Sequence, residues 1–112
     1  MRNISFSLTT PQFVAGTKDV TRRFGWLFVK PGDRLCAVER GMGLKKGEKI
    51  KRLGVIEILS ARMERLDAID ADDCRREGFP DFTPRQFVDF LGKESGKKPW
   101  DFVNRLEFKR VA

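Results

Sequence analysis

The sequence predicts a small α+β fold: a mixed, partly closed β-barrel with two or three short helices packed on it. Three observations lead there. The chain has 112 residues, the length of one domain spanning 1–112. Its apolar residues alternate over short runs separated by Pro- and Gly-bearing turns, as short strands do. The element order reads β-α-β-β-β-α-α-β and lacks the repeated βαβ units of a doubly wound parallel sheet.

Arg2 to Leu8 alternates, with Ile4, Phe6 and Leu8 on one face, and is expected to be a half-buried strand. Thr9-Thr10-Pro11 opens a short helix, because Thr caps free amides and Pro fixes φ at the first helical position. Gly16 stops that helix. Lys18 to Gly25 reads as a polar connection and Trp26 to Val29 as a strand. Lys30-Pro31-Gly32-Asp33 is a tight turn. Arg34 to Arg40 is the next strand, and Gly41 to Gly47 is expected to be a mobile Gly- and Lys-rich loop. Ile50 to Ser60 follows as a strand in which Gly54 marks a bulge. The segment Glu64 to Asp73 is acidic, and within it Asp70 caps a short helix running to Glu77, with Gly78 as its stop. Thr83-Pro84 starts a helix over 84–95 whose Phe87, Phe90 and Leu91 follow i, i+3, i+4 spacing and point to burial. Val103 to Val111 closes the chain as a strand.

The composition excludes several chemistries. There is no histidine, which removes His-based acid–base and nucleophilic sites. Cys36 and Cys74 are lone and far apart, so two free thiols are expected and neither a metal site nor a cofactor is. No apolar run is long enough to span a bilayer, and the first residues have no apolar signal region. A cytoplasmic location is therefore expected, with no membrane partner, and the chain is expected to act as a monomer.

The net charge is +7. Residues 18–52 hold 11 basic and 4 acidic residues, an excess of +7 in one third of the chain. Residues 53–112 hold 11 basic and 12 acidic residues, for −1. Such clustering fits a polyanion partner or a solvated basic surface. The strip Lys45, Lys46, Lys49, Lys51 and Arg52 has the charge to follow a phosphate backbone. Trp26 or Phe24, beside Arg22 and Arg23, can stack an unpaired base.

The densest polar cluster is Gly16-Thr17-Lys18-Asp19-Val20-Thr21-Arg22-Arg23. Backbone amides after a helix-stop glycine, a lysine, a hydroxyl and two guanidiniums together suit an anion. The pattern Gly-x-Lys-x-x-Thr-x-Arg, here Gly16, Lys18, Thr21 and Arg23, resembles the ASCH family of the PUA-like superfamily. Lys30-Pro31-Gly32-Asp33 resembles that family's turn before a strand. Arg76-Glu77-Gly78-Phe79, with Thr83 to Phe90 behind it, resembles its next element and following helix. Arg105 to Phe108 resembles its closing strand, and the set keeps its order along nearly the whole chain.

The resemblance implies a PUA-like barrel with a cleft between barrel and helices, binding RNA, a nucleoside or a nucleotide. The alternative is a small hydrolase, either an amidohydrolase acting on an N-acylated cytidine or a ribonuclease. One small bacterial member removes the acetyl group from acetylated cytidine, and its catalytic Lys, Thr and Glu fall on Lys18, Thr21 and Glu77. The basic hairpin at 41–52 departs from that pattern. In the catalytic reading, Lys18 activates the Thr21 hydroxyl, Glu77 moves a proton and Arg23 steadies the oxyanion. In the structural reading, Lys18 and Glu77 are a charge pair that holds the cleft together.

Overall fold

The computed structural model describes residues 1–41 and 44–112. Five strands form one mixed sheet, and among the described residues three α-helices pack on it. The strands are β1 (Asn3–Ser5), β2 (Val20–Arg23), β3 (Arg34–Val38), β4 (Arg52–Arg65) and β5 (Phe102–Arg110). The helices are α1 (Thr10–Ala15), α2 (Ala71–Arg76) and α3 (Pro84–Ser95). The sheet order is β1-β3-β4-β5-β2, with β1 parallel to β3 and every other pair antiparallel. The ladder does not close on itself, so β1 and β2 are both edge strands.

Several expectations move. The first strand ends at Ser5, because the backbone turns at Phe6, whose carbonyl accepts from the Thr9 amide at 2.9 Å and the Thr10 hydroxyl at 2.8 Å. Leu8 consequently lies exposed instead of joining Ile4 and Phe6 in the core. The Lys18–Gly25 connection contains a strand, β2, and the Trp26–Val29 strand is a turn. A φ of +81° at Gly25 breaks the extended backbone before Trp26. β3 stops two residues early, at Val38. β4 runs five residues past Ser60, through Arg65, because its second half pairs with β5 from Ser60↔Glu107 to Arg65↔Phe102. The register shift opposite Ala37/Val38 falls at Leu53, next to Gly54, where a bulge was expected. Of the 41–47 loop, residues 42 and 43 lie outside the described residues.

The helices begin where their caps put them. The Asp70 carboxylate accepts from the Asp73 amide at 2.8 Å, and Thr83 with Gln86 forms a reciprocal capping box ahead of α3. Gly78, just past α2, has φ +101°.

Two apolar cores result. Ile4, Phe6, Phe13, Ile56, Leu106 and Phe108 belong to the first. Leu66, Cys74, Phe87, Val88 and Val103 belong to the second, under α2 and α3. Strand β5, between β4 and β2, serves both, Val103 belonging to one core and Leu106 and Phe108 to the other. Both cysteines are free and buried. No helix among the described residues is long and apolar enough to cross a membrane.

Candidate functional site

The site grows from β2, whose sequence looks like a loop because its charged side chains are paired inside the protein. Val20, Thr21 and Arg22 are all buried. Arg22 stands directly across from Arg105 of β5, a like-charge pair that would repel by itself. The Asp73 carboxylate of α2 resolves the repulsion. It accepts from Arg22 Nη2 at 2.5 Å and from Arg105 Nε and Nη2 at 2.7 and 3.0 Å. Burial alone would raise the Asp73 carboxyl, but hydrogen bonds from Arg105 and Arg22 outweigh it and hold the group well below the usual carboxylate range. Arg22 Nη2 also reaches Glu64 of β4 at 3.0 Å.

Glu77, at the carboxyl end of α2, completes the network. Its Oε1 accepts from Lys18 Nζ at 2.8 Å and its Oε2 from Arg22 Nη1 at 3.0 Å. Lys18 Nζ donates to the Glu77 backbone carbonyl as well, at 2.8 Å. The segment holding Lys18 is fastened to α2 by the Asp19 amide on the Arg76 carbonyl at 2.9 Å and by the Arg76–Asp19 ion pair at 3.0 Å. Burial pushes the Lys18 ammonium below its ordinary 10.5, and although Glu77 opposes this, Arg23 and Arg22 reinforce it. Arg22 Nε is buried with no partner among the described residues.

Arg23 is the cation of this cluster that meets no carboxylate among the described residues. Its Nε donates to Thr21 Oγ1 at 3.0 Å and its Nη2 to the Ser5 carbonyl at 2.6 Å, so a side chain bridges the two sheet edges that no ladder joins. Its guanidinium lies 5.2 Å from the centroid of the Phe6 ring. Burial draws Arg23 down to about 10, against the pull of Glu77, and leaves it charged at neutral pH.

A cavity of about 430 Å³ opens in that gap between β1 and β2, under α3. Lys18, Thr21, Arg22, Arg23 and Glu77 form its polar wall. Phe24, Trp26, Phe79, Phe90 and Leu91 form much of the apolar one. Size, aromatic lining and a few convergent polar groups are the properties of a small-molecule or base-binding pocket.

No family model matches the chain, and no curated protein matches it. A solved structure does: protein EF3133 from Enterococcus faecalis V583, assigned to the family model DUF984. It is 14% identical with a TM-score of 0.68, over 94% of this chain and 71% of that one. A likeness at this identity shows the fold alone.

The residues singled out from sequence fall into two groups. Lys18, Thr21, Arg22, Arg23, Trp26 and Glu77 line the one cavity. Gly16 does not; its amide is spent on the Phe13 carbonyl and that of Thr17 on the Gln12 carbonyl, both within the helix cap. Lys45, Lys46, Lys49, Lys51 and Arg52 are exposed and outside the cavity. Lys49 and Lys51 border a second cavity of about 420 Å³ with Glu39 and Glu48, and Ser7 lines both cavities. Lys51 is 3.5 Å from Glu39, so part of the strip's charge is answered locally. Lys18 and Glu77 do form the anticipated charge pair. No hydrogen bond joins Lys18 to Thr21 among the described residues, since the Thr21 oxygen accepts from Arg23.

Sequence reasoning missed Asp73, Arg105 and Glu64 as the partners that hold β2 in place. Asp73 left one signal: it lies three residues past a capping Asp in a sequence already read as a helix start. Arg105 left none, because an alternating strand hides whether a charged residue faces solvent or a buried acid.

Proposed function

We propose that the chain is a PUA-like module of the ASCH kind, a barrel left open at one seam, acting in the cytosol by binding RNA or a nucleotide in that seam. The observation that supports this best is Arg23: a guanidinium without a carboxylate, set beside Thr21 on the wall of an aromatic-lined cavity. A phosphate or other anion takes the guanidinium, and a base stacks on Phe24, Trp26, Phe79 or Phe90. The orphan Arg22 Nε supports the same reading, because a buried donor without a partner is uncommon and is a group a ligand could satisfy. The basic strip gives an RNA backbone a continuation past Ser7.

The test is a titration of the full chain into a short fluorescently labelled single-stranded RNA, followed by fluorescence anisotropy at several salt concentrations. Binding is expected to weaken with a log–log salt slope near −3 if about four phosphates are neutralised. Arg23→Gln and Trp26→Ala are each expected to lower affinity by about tenfold. Binding that ignores both substitutions would end this reading.

The hydrolase reading rests on one observation, the burial that lowers the proton affinity of Lys18 beside Glu77 in the same cavity. In it, the pair opens so that neutral Lys18 accepts the Thr21 proton as the hydroxyl attacks the acyl carbon, the proton passes to the amine as the C–N bond breaks, and water then hydrolyses the acyl-Thr21 ester. Acetylcytidine hydrolysis that disappears in both Lys18→Ala and Thr21→Ala would put this reading first. Absence of turnover in the unsubstituted protein removes it.

A further inference from the structure

The cavity wall carries charges of both signs. Of its lining carboxylates, Glu77 has both oxygens occupied, Oε1 by Lys18 and Oε2 by Arg22. The other is Glu94, in the last turn of α3, which makes no hydrogen bond or ion pair among the described residues. Arg23 on β2 is therefore the lining cation, and Glu94 the lining carboxylate, without an opposite charge as partner among the described residues.

The position of Glu94 is unusual for a helix. A carboxylate in the carboxyl-terminal turn opposes the helix dipole, where a basic side chain is favoured. Local rules are broken in this way where a side chain serves a site. Glu94 also lies four residues after Phe90, on the same helix face. Phe90 and Glu94 both line the cavity, so a base stacked on that ring would have the carboxylate as a neighbour. Lys97, which lies over the outer Phe24 ring at 5.6 Å, does not pair with Glu94.

We propose that Glu94 is a specificity residue that accepts hydrogen bonds from an exocyclic amine, so that the cavity prefers cytosine and adenine to their keto counterparts, uracil and hypoxanthine. A carboxylate has acceptors only. It pairs with the amino group of cytosine or adenine and meets the carbonyl oxygen of uracil or hypoxanthine with repulsion. The inference rests on the nucleotide-binding reading above and adds the base class to it.

The test is calorimetric titration of the full chain with CMP, UMP, AMP and IMP. CMP is expected to bind about tenfold more tightly than UMP, and AMP than IMP. In Glu94→Ala both preferences are expected to vanish, with UMP affinity unchanged or higher because a charge facing the ligand is gone. In Glu94→Gln the preference is expected to shrink or invert, since the amide can donate to a carbonyl. Glu94 is exposed, so all three proteins are expected to melt alike. Equal binding of the amine and keto nucleotides by the unsubstituted chain, or a preference that survives Glu94→Ala, overturns the proposal and leaves the nucleotide site standing. Failure of all four nucleotides to bind sinks the site itself and the proposal with it.

Discussion

Asp73→Asn is the sharpest probe of how the site is built. The carboxylate accepts three hydrogen bonds from two guanidiniums that face each other across β2 and β5. Asparagine keeps the shape but turns an N–H toward one of those donors. Arg22 retains Glu77 and Glu64, so its charge is not left bare. Arg105 loses both of its carboxylate contacts while only 4% exposed. Stranding a buried charge in this way costs about 3–5 kcal/mol. That is a large share of the roughly 5–15 kcal/mol by which a domain is stable. At about 4 °C per kcal/mol for a domain near this size, the melting temperature is expected to fall by about 12–20 °C. Thermal unfolding followed by circular dichroism measures it. Adding Arg105→Gln should recover part of the loss, a coupling of roughly 1 kcal/mol or more. The acid limb checks the same contact. Asp73 is held below its ordinary 3.8, so its contribution is present above that value and lost as pH falls through it. Stability of the unsubstituted protein should therefore drop more steeply between about pH 5 and about pH 2 than that of Asp73→Asn. A melting temperature within about 2 °C of the parent would refute the idea that Asp73 neutralises a buried cation pair.

Gly78→Ala should destabilise by about 1–3 kcal/mol, because φ is +101° and an added Cβ would stand 2.8 Å from Gln12 Cβ and Cγ, which anchor that side chain to α1. The urea midpoint should fall with an unchanged slope, and an unchanged midpoint would show that the turn has slack. Replacing Lys45, Lys46 and Lys49 together with Gln should leave the melting temperature within about 2 °C, since exposed charges contribute little to stability. The same substitution should flatten the salt slope of RNA binding from near −3 to near −1, and an unaltered slope would take the strip out of the binding surface.

The sequence disclosed most clearly the elements whose signals are local. Thr83-Pro84 announces α3, and the structure places the cap at Thr83, with Gln86 completing the capping box. Asp70 and Gly78 bracket α2 and its turn in the same way. What it concealed was β2. Thr21-Arg22-Arg23 looks solvated because a strand with charged side chains on both faces is rare, and its acids lie about 40 to 55 residues further on, at Glu64, Asp73 and Glu77. No window along the chain can see that pairing. Trp26-Leu27-Phe28-Val29 shows the converse error: four apolar residues in a row mimic a buried strand, while Leu27 and Phe28 are exposed on a turn.

The same long-range pairing changes what the charge count means. Residues 18–52 hold the whole net excess of +7, yet that excess is not one surface. Lys18 and Arg22 are consumed by acids from the carboxyl-terminal half, so part of the excess is neutralised inside the protein. Arg40 and Lys51 are answered at the surface by Glu48 and Glu39. The charge available to an anion therefore divides in two: Arg23 inside the seam, and Lys30, Lys45, Lys46, Lys49 and Arg52 outside it. An extended polyanion can use both, whereas a free nucleotide can use only the first. Affinity for RNA that exceeds affinity for its mononucleotide, and that loses this surplus at high salt, is what such a division requires.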